Sequence, residues 1–207
     1  RLALALSLGG VTDRLELGGV PTPLTGMTVE AWVYRSDETR CETVLNGRMP
    51  GSFWFGLCND GVWFRSNDNS TAQSGETTIP RSAWTHIAAT WEIGGRQKIF
   101  VNGDLDSDGP AGAGPQPILS TDTLLVGVDI INPGGAFEFY DAAFQGRIAE
   151  VRLWEVARTA EQIRQTMNLA IEDTRNGLLV DLHLDKDLSD TAGHRTAIAH
   201  AQAQLIN

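Results

Sequence analysis

The chain has 207 residues, 42% of them hydrophobic and 20% charged, which suits one soluble globular domain, residues 1–207, with a sizeable core. Its net charge of -10, from 26 acidic and 16 basic residues, argues against nucleic acid and anionic membrane as partners, because both require a dense surface of Lys and Arg. No apolar run approaches the length of a membrane span, so membrane insertion is not expected either.

Short strands in which apolar and polar residues alternate account for most of the chain. The opening RLALALSLGG is interpreted as a strand and not as a signal peptide, because it lacks a long apolar region and a clear cleavage site. In MTVEAWVY, the residues Val29, Ala31 and Val33 share one face. The same alternation predicts strands in SFWFGLC, VWFRS, WTHIAATW, RQKIFVNG, DTLLVGVDI, GRIAEVRLW and NGLLVDLHLD. Strands this short and numerous favour a β-sandwich or jelly roll.

Two details of this pattern make specific predictions. In GRIAEVRLW, strict alternation places Ile148, Glu150 and Arg152 on one face of the strand and the intervening residues on the other. The Gly- and Pro-rich stretch Asp106–Pro117 is predicted to form a surface loop.

The two cysteines fall on a predicted hairpin. A turn centred on RMPG pairs Leu45 with Trp54 and places Cys41 directly opposite Cys58. Cross-strand partners have Cβ atoms about 4.5–5.5 Å apart, which a disulfide can accommodate after slight adjustment. A bridge would contribute about 3 kcal/mol by the chain-entropy model and would indicate an oxidising compartment. Two free, buried thiols are the alternative.

One short helix is predicted near the C-terminus. Thr159 is a candidate N-cap with Gln162 three residues later, which is the pattern of a capping box, and Ile163 and Met167 form an apolar stripe. A helix of about three turns is marginal on its own, so it is expected to lie against the sandwich.

The order of these segments resembles the bacterial laminin-G-like domains of the concanavalin A-like superfamily, which are related to the pentraxins. The segments that carry the resemblance are SLGGVTDRLEL, MTVEAWVY, WTHIAATWEIGGRQKIFVNGDL, FQGRIAEVRLWEVARTAEQI, GLLVDLHLD and SDTAGH. The resemblance implies an all-β fold, a two-sheet antiparallel jelly-roll sandwich with the helix packed on one sheet. It also implies an extracellular or cell-surface location and ligands such as sugars, proteins or lipids, frequently with calcium and without catalytic residues.

The segment LVGVDIINPGGAFEFYDAAFQGRI is similar to the ligand-side calcium loop of the pentraxins in particular. The resemblance implies calcium ligands at Asp129 and Glu138, and Asp141 with backbone carbonyls would extend a partial site, since calcium takes six to eight oxygen ligands. Ile130 and Ile131 stand where pentraxins have further oxygen ligands, so a full two-ion site is not expected.

A second candidate calcium site joins Asp13 in GGVTDRL with Asp190 in SDTAGH, because the resembling domains often hold a structural calcium near these turns. The alternative is that each carboxylate accepts hydrogen bonds from the backbone of its own turn. The pentraxin disulfide is missing, with Glu30 and Ala88 at its positions.

The Gly-rich segment of residues 129–141 contains several aromatic residues, and an aromatic residue on a loop is less often part of the core than one on a strand. The predicted ligand-binding residues are Asp129, Asn132, Phe137, Phe139 and Tyr140. The tryptophans at family framework positions are expected to pack in the sheets: Trp32, Trp84, Trp91 and Trp154.

Catalysis is not indicated. Glycosidases on this fold need a carboxylate pair at even spacing on a strand, and Glu150 beside Arg152 suits an ion pair better than a general acid. His86 is expected to be a hydrogen-bonded packing residue. The remaining histidines lack the spacing of a metal site: His183, His194 and His200.

The sequence therefore predicts a non-catalytic extracellular recognition module that binds a glycan or a cell-surface protein through residues 129–141, with calcium ordering that loop. The alternative is a structural or assembly module of a larger surface protein, for which an oligomer would be expected. A polysaccharide-cleaving enzyme is the least favoured hypothesis.

Overall fold

The computed structural model describes residues 4–21, 25–36, 41–48, 52–67, 72–109, 121–131, 139–171 and 177–206. Within these ranges the chain forms two antiparallel sheets, a separate two-stranded hairpin and one short helix, so the predicted fold class is confirmed. Within the described ranges, no helix has the length and apolar character needed to cross a membrane.

The first sheet, sheet A, has the order β10-β9-β8-β3-β14-β15-β16-β17, and β1 pairs with both β14 and β19. Its strands are β1 (Ala5–Leu8), β3 (Gly26–Arg35), β8 (Trp84–Glu92), β9 (Lys98–Val101), β10 (Asp104–Asp108), β14 (Gly146–Trp154), β15 (Leu178–Leu182), β16 (Ser189–Asp190), β17 (Arg195–Thr196) and β19 (Gln204–Ile206).

The second sheet, sheet B, has the order β18-β2-β11-β4-β5-β6-β7. Its strands are β2 (Arg14–Pro21), β4 (Cys41–Gly47), β5 (Trp54–Cys58), β6 (Gly61–Arg65), β7 (Gln73–Ser74), β11 (Thr121–Val126) and β18 (Ile198–His200). The separate hairpin pairs β12 (Asp129–Ile131) with β13 (Phe139–Asp141), and helix α1 spans Ala160–Thr166.

The core lies between the two sheets and follows the alternation of the sequence. Val29, Ala31 and Val33 on β3 are fully buried in the same apolar cluster as Phe55 and Phe64 of sheet B. Because successive side chains of a strand point to opposite faces, the other residues of β3 form the outer face of sheet A.

Strand β14 departs from strict alternation. Ile148 pairs with Val33 and packs in the core, as does Val151 after it, so the prediction that Ile148 shares a face with Glu150 and Arg152 is wrong. A β-bulge between residues 149 and 152 inserts one extra residue, with Glu150 at a φ of 50°. The extra residue moves Ile148 to the face opposite Glu150.

The β4–β5 hairpin carries the disulfide. Cys41 lies opposite Cys58 and the two sulfurs are bonded, as the sequence predicted. Leu45, however, pairs with Phe55 and not with Trp54, because a register shift follows Thr43. The predicted pairing of the two cysteines is therefore confirmed. The β-bulge after Thr43 shifts the pairing of Leu45 by one residue from the predicted partner.

Helix α1 begins with the predicted capping box. The Thr159 hydroxyl accepts a hydrogen bond from the Gln162 backbone N–H, and the Gln162 side chain accepts one from the Thr159 N–H. The helix is two turns long, and Ile163 packs against Ala88 and Phe100 on the outer face of sheet A. The prediction that the helix lies on one sheet is confirmed.

The predicted surface loop Asp106–Pro117 is partly wrong, because its first residues belong to strand β10. The Asp106 carboxylate accepts hydrogen bonds from the backbone N–H groups of Glu76 and Thr77, which fixes this edge strand to the segment before β8. Residues 110–117 lie outside the described part of the chain.

Candidate functional site

The β12–β13 hairpin brings two of the predicted calcium ligands together. Asp129 and Asp141 are direct cross-strand partners, Asp129 half-buried and Asp141 exposed. Directly opposite side chains lie on the same face of a hairpin, with Cβ atoms about 4.5–5.5 Å apart. Two carboxylates in this position repel each other, and a bound cation would relieve that repulsion.

Asn46 on β4 connects this hairpin to sheet B. Its side-chain Nδ2 donates a hydrogen bond of 2.6 Å to Asp129 Oδ1, which also accepts the Ile130 N–H at 2.8 Å. The Asn46 side chain is 3% exposed, and its Oδ1 is buried without a hydrogen-bond partner. A buried amide oxygen without a donor is rare, and beside a carboxylate pair it has the chemistry of a calcium ligand.

The orientation of this amide follows from its neighbour. The reverse orientation would set the Asn46 amide oxygen against the Asp129 carboxylate, with two acceptors and no proton between them. Sequence analysis did not identify Asn46, because its only sequence signal is an Asn-Gly pair at the end of a strand and its partner is 83 residues away.

The remaining predicted residues of this segment are only partly described. Asn132, Phe137 and Glu138 lie outside the described residues, in the connection between the two strands of the hairpin. Phe139 and Tyr140 belong to β13, paired with Ile131 and Ile130 of β12. Their assignment as ligand-binding residues stays a prediction.

Asp13 and Asp190, the second predicted calcium pair, each make extensive hydrogen bonds. The Asp13 carboxylate accepts the backbone N–H groups of Gly9, Gly10 and Gln202 at 2.7–3.0 Å. Burial raises the pKa of Asp13, but these donors outweigh it and hold the pKa below its usual value. The contacts are those of a carboxylate that organises its own turn and ties it to the C-terminal segment.

Asp190 is 1% exposed and bridges strands at the edge of sheet A. Its Oδ1 accepts the Asp181 backbone N–H at 2.9 Å, and its Oδ2 forms an ion pair with the Arg195 guanidinium at 2.6 Å. Calcium binding by Asp13 and Asp190 stays a prediction. The contacts of Asp13 with Gly9 and Gly10 correspond to the alternative of turn hydrogen bonds, whereas Asp190 accepts from the backbone of the neighbouring strand and from the Arg195 side chain.

Two tryptophans beside the hairpin were not singled out from the sequence. Trp54 and Trp63 are half-buried and lie on the outer face of sheet B, whereas Phe55 and Phe64 next to them point into the core. The alternation in WFGLC and VWFR was a sufficient signal, because it places each tryptophan on the face opposite the neighbouring phenylalanine.

A buried charged cluster occupies the outer face of sheet A. Arg152 pairs with Glu150 at 2.5 Å and with Asp181 at 3.0 Å, and His183 lies 3.0 Å from Asp181 and 3.3 Å from Glu150. The predicted ion pair between Glu150 and Arg152 is therefore present. The sequence did not predict a role for His183 in this cluster, because the spacing of metal ligands was compared only among residues close in sequence. Glu150 lies on the neighbouring strand β14.

Within the described ranges, Glu150, Asp181 and His183 are a group with three potential metal-ligand atoms within 4.8 Å of one another. The hydrogen bonds that the His183 ring donates to Asp181 and Glu150 raise its pKa to about 10, so the ring is protonated at neutral pH. Two carboxylates are thus balanced by His183 and Arg152. A metal ion would have to displace both cations, so the cluster has the character of a structural anchor.

The anchor holds the segment that begins at helix α1. The Arg152 guanidinium donates to the carbonyl oxygens of Thr166 and Leu169, and the His183 ring contacts the Ile171 carbonyl at 3.2 Å. Cations at the end of a helix satisfy carbonyl groups that lack intrahelical partners and interact favourably with the helix dipole.

His86 and Glu30 extend this buried polar face. Glu30 is fully buried and accepts hydrogen bonds from Trp154 and Arg158, and His86 lies 3.5 Å from its other oxygen. Burial raises the pKa of Glu30, but His86, Arg152 and Arg158 together lower it to about 2. Glu30 pairs with Ala88 across the β3–β8 strands, so the two residues at the pentraxin disulfide positions are neighbours.

Residues 8–164 match the laminin-G family model described as the concanavalin A-like lectin/glucanases superfamily. Over 177 residues, 84% of the chain, the sequence is 22% identical to the Rattus norvegicus protein "Sushi, von Willebrand factor type A, EGF and pentraxin domain-containing protein 1". The chain spans 5% of that relative's length.

Two solved structures share the fold. A Bacteroides ovatus protein provisionally described as carbohydrate binding superposes with a TM-score of 0.80 at 19% identity, covering 100% of this chain and 60% of that one. The native heptameric SAP-like pentraxin of Limulus polyphemus gives 0.72 at 15% identity, covering 99% and 94%. At these identities the likeness establishes the fold.

Proposed function

The chain belongs to the laminin-G family of the concanavalin A-like lectin/glucanases superfamily, and on this premise we propose that it is a non-catalytic recognition module that binds carbohydrate at the β12–β13 hairpin with calcium. The observation that carries the proposal is the cross-strand pair Asp129 and Asp141, together with Asn46, which donates to Asp129 and has a buried amide oxygen without a hydrogen-bond partner.

The donor atoms at the hairpin fit calcium and not a softer metal. Asp129, Asp141 and Asn46 offer carboxylate and amide oxygens, and Glu138 of the connecting segment would add another. When bound, calcium would balance the two carboxylates and offer coordination positions to sugar hydroxyls. The residues of the chain contribute the rest: Asn46 fixes the position of Asp129, and the hairpin register sets Asp141 opposite it.

Two buried carboxylates of sheet A, Glu30 and Asp181, support a binding role over hydrolysis. A glycosidase needs a carboxylic acid whose pKa is raised, so that it is protonated at neutral pH. In sheet A the pKa values of Glu30 and Asp181 are lowered by neighbouring histidine and arginine side chains, which outweigh the effect of burial. Both groups are therefore ionised partners of cations.

An extracellular or cell-surface location is part of the proposal. The Cys41–Cys58 disulfide is supported by geometry on the hairpin, and disulfides persist mainly in oxidising compartments. The net charge of -10 also suits a module whose site attracts a divalent cation.

Calcium titration calorimetry with four variants tests the metal part of the proposal. The wild-type chain is expected to bind calcium with a dissociation constant of about 0.1–1 mM, as extracellular calcium modules do. Asp129→Asn, Asp141→Asn and Asn46→Ala each remove one ligand and should weaken binding about tenfold or more. Asp104→Asn is the matched control, because this exposed carboxylate lies on sheet A and carries the same charge change.

Glycan-array binding in calcium and in EDTA tests the carbohydrate part. Hits that disappear in EDTA and in Asp129→Asn, but persist in Asp104→Asn, are the expected result. The proposal is contradicted if 5 mM calcium gives no heat with the wild-type chain, or if no glycan binds in the presence of calcium.

A further inference from the structure

We propose that Trp54 and Trp63 form a stacking surface for sugar rings, so that the ligand of the hairpin is an oligosaccharide of at least two consecutive units and not a single terminal sugar. This inference rests on the proposed function and extends the same site from the hairpin across strands β5 and β6. It is carried by the register of sheet B and by the way in which Trp54 is fixed on that sheet.

The Trp54 side chain is fixed by the strand beside it. Its Nε1 donates a 3.0 Å hydrogen bond to the Thr43 hydroxyl on β4. The ring lies beside Gly56, where an added Cβ would meet the Glu42 carbonyl oxygen first and would also come within 2.8 Å of ring atom Cη2. A glycine at position 56 thus leaves space for both the β4 backbone and the ring, and the hydrogen bond fixes the direction of the ring before any ligand arrives.

Trp63 extends this aromatic surface onto the next strand. Its Cα is the cross-strand partner of Gly56, the residue beside which the Trp54 ring lies. The two side chains therefore stand on one face of neighbouring strands. Both are half-buried, as are Trp32 and Trp84 of sheet A, whereas Trp91 and Trp154 are 0% and 3% exposed.

The aromatic surface borders the acidic pair. Asn46, which donates to Asp129, is itself the cross-strand partner of Trp54. Neighbouring strands lie about 4.8 Å apart, so the distance from β4 to β6 is about 10 Å. That distance exceeds one sugar ring, and a ligand that contacts both the hairpin and Trp63 must contain more than one.

The groups around the two rings favour a carbohydrate over a protein partner. Trp54 is flanked across the strands by Asn46 and Arg65, and Trp63 by the exposed Ser74. Sugars present an apolar C–H face and a rim of hydroxyls, which matches an aromatic face bordered by hydrogen-bonding side chains. A protein interface of stable size would need a broader surface with an apolar centre.

The test measures affinity as a function of ligand length in the presence of calcium. The probes are the xylo-, cello-, manno-, arabino- and galacto-configured hexasaccharides with their monosaccharides, titrated by calorimetry into the full chain. At least one hexasaccharide should bind about tenfold or more tightly than its monosaccharide. Trp54→Ala and Trp63→Ala should each weaken the hexasaccharide about tenfold or more, since central aromatic contacts dominate binding energy.

Three further variants keep the test specific. Trp54→Phe retains a ring and should recover part of the affinity, whereas Thr43→Val removes the acceptor of the Trp54 Nε1 hydrogen bond and should weaken binding with the tryptophan still present. Trp84→Ala is the control for loss of a half-buried strand tryptophan on sheet A. Calcium affinity should be unchanged in all of them, which also shows that each variant is folded.

Two results separate this inference from the proposed function. Calcium-dependent hexasaccharide binding that is unaffected by Trp54→Ala and Trp63→Ala overturns the stacking surface and leaves the hairpin proposal intact. Absence of binding by every sugar of the panel at 10 mM, with calcium bound, overturns the stacking surface for these ligands and counts against carbohydrate recognition as well.

Discussion

At the scale of single residues, His183 shows how a side chain acquires properties that its segment does not suggest. It lies between Asp181 and Glu150, and the hydrogen bonds that its ring donates to these carboxylates raise its pKa from about 6.5 to about 10. The protonated ring and Arg152 together offset two carboxylates that are nearly or fully buried. Removal of either cation leaves uncompensated negative charge away from water, which is costly.

The pH dependence of unfolding tests the charge on His183. A pKa raised on folding gives a contribution to stability that is complete below the unfolded value of about 6.5 and is lost as pH rises through about 10. The wild-type chain should therefore exceed His183→Gln by about 3 kcal/mol in free energy of unfolding at pH 6, and by much less at pH 10. Urea unfolding of both proteins at pH 6, 8 and 10 measures this difference. An equal difference at pH 6 and pH 10 would show that the ring is neutral.

At the scale of elements, helix α1 combines local and long-range determinants. Its start follows from Thr159 and Gln162, three residues apart, and the sequence predicted it correctly because capping is local. Its position depends on contacts to distant strands: Ile163 packs on β8 and β9, and Arg152 of β14 binds the carbonyl groups at its end. A helix of two turns has little stability without such contacts.

Removal of the buried cation is expected to destabilise the helix far more than removal of an exposed one. Arg152→Met leaves Glu150 and Asp181 with His183 as their only cation in the cluster, and the excess buried negative charge should cost about 3 kcal/mol in free energy of unfolding. Arg164→Met removes a solvent-exposed pair with Asp104 from the helix itself and should cost less than about 1 kcal/mol.

Urea unfolding gives both values, and hydrogen exchange locates the effect. The amides of α1 should exchange faster in Arg152→Met than those of β3, because the helix loses its attachment before the core opens. Costs that are similar and small for both variants would mean that the buried cluster does not anchor the helix.

Strand β14 shows where sequence patterns fail at this scale. Alternation predicted its last residues correctly, but a bulge at Glu150 moved Ile148 to the core face. The bulge depends on pairing with β3 and β15, which local sequence does not reveal. The same limit applies to the site: Asp129 and Asp141 were identified from one segment, whereas Asn46 and Trp54 reach it through strand register.

At the scale of the whole molecule, alternation and family resemblance predicted the two-sheet sandwich, and the disulfide joins adjacent strands within one sheet. Cys41 and Cys58 are 17 positions apart on β4 and β5, the same two strands that carry Asn46 and Trp54. The bridge therefore constrains the β4–β5 pair that contributes Asn46 and Trp54 to the candidate site, in addition to restricting the unfolded chain.

Reduction of the disulfide is expected to lower the stability of the whole domain. A bridge that closes a loop of this length contributes about 3 kcal/mol in the chain-entropy model. Dithiothreitol should lower the free energy of unfolding of the wild-type chain by about this amount and leave a Cys41→Ala, Cys58→Ala double variant unchanged. Equal stability with and without reductant, in a sample shown by mass spectrometry to be oxidised at the start, would contradict this role.

A crystal structure of the chain grown with calcium and an oligosaccharide tests whether the β12–β13 hairpin binds carbohydrate with calcium. We expect anomalous density for a cation in contact with Asp129, Asp141 and the Asn46 amide oxygen, and sugar density that runs from there over Trp54. A cation found instead at Asp13 and Asp190, or at Glu150, Asp181 and His183, with the hairpin and tryptophans free of ligand, would contradict it.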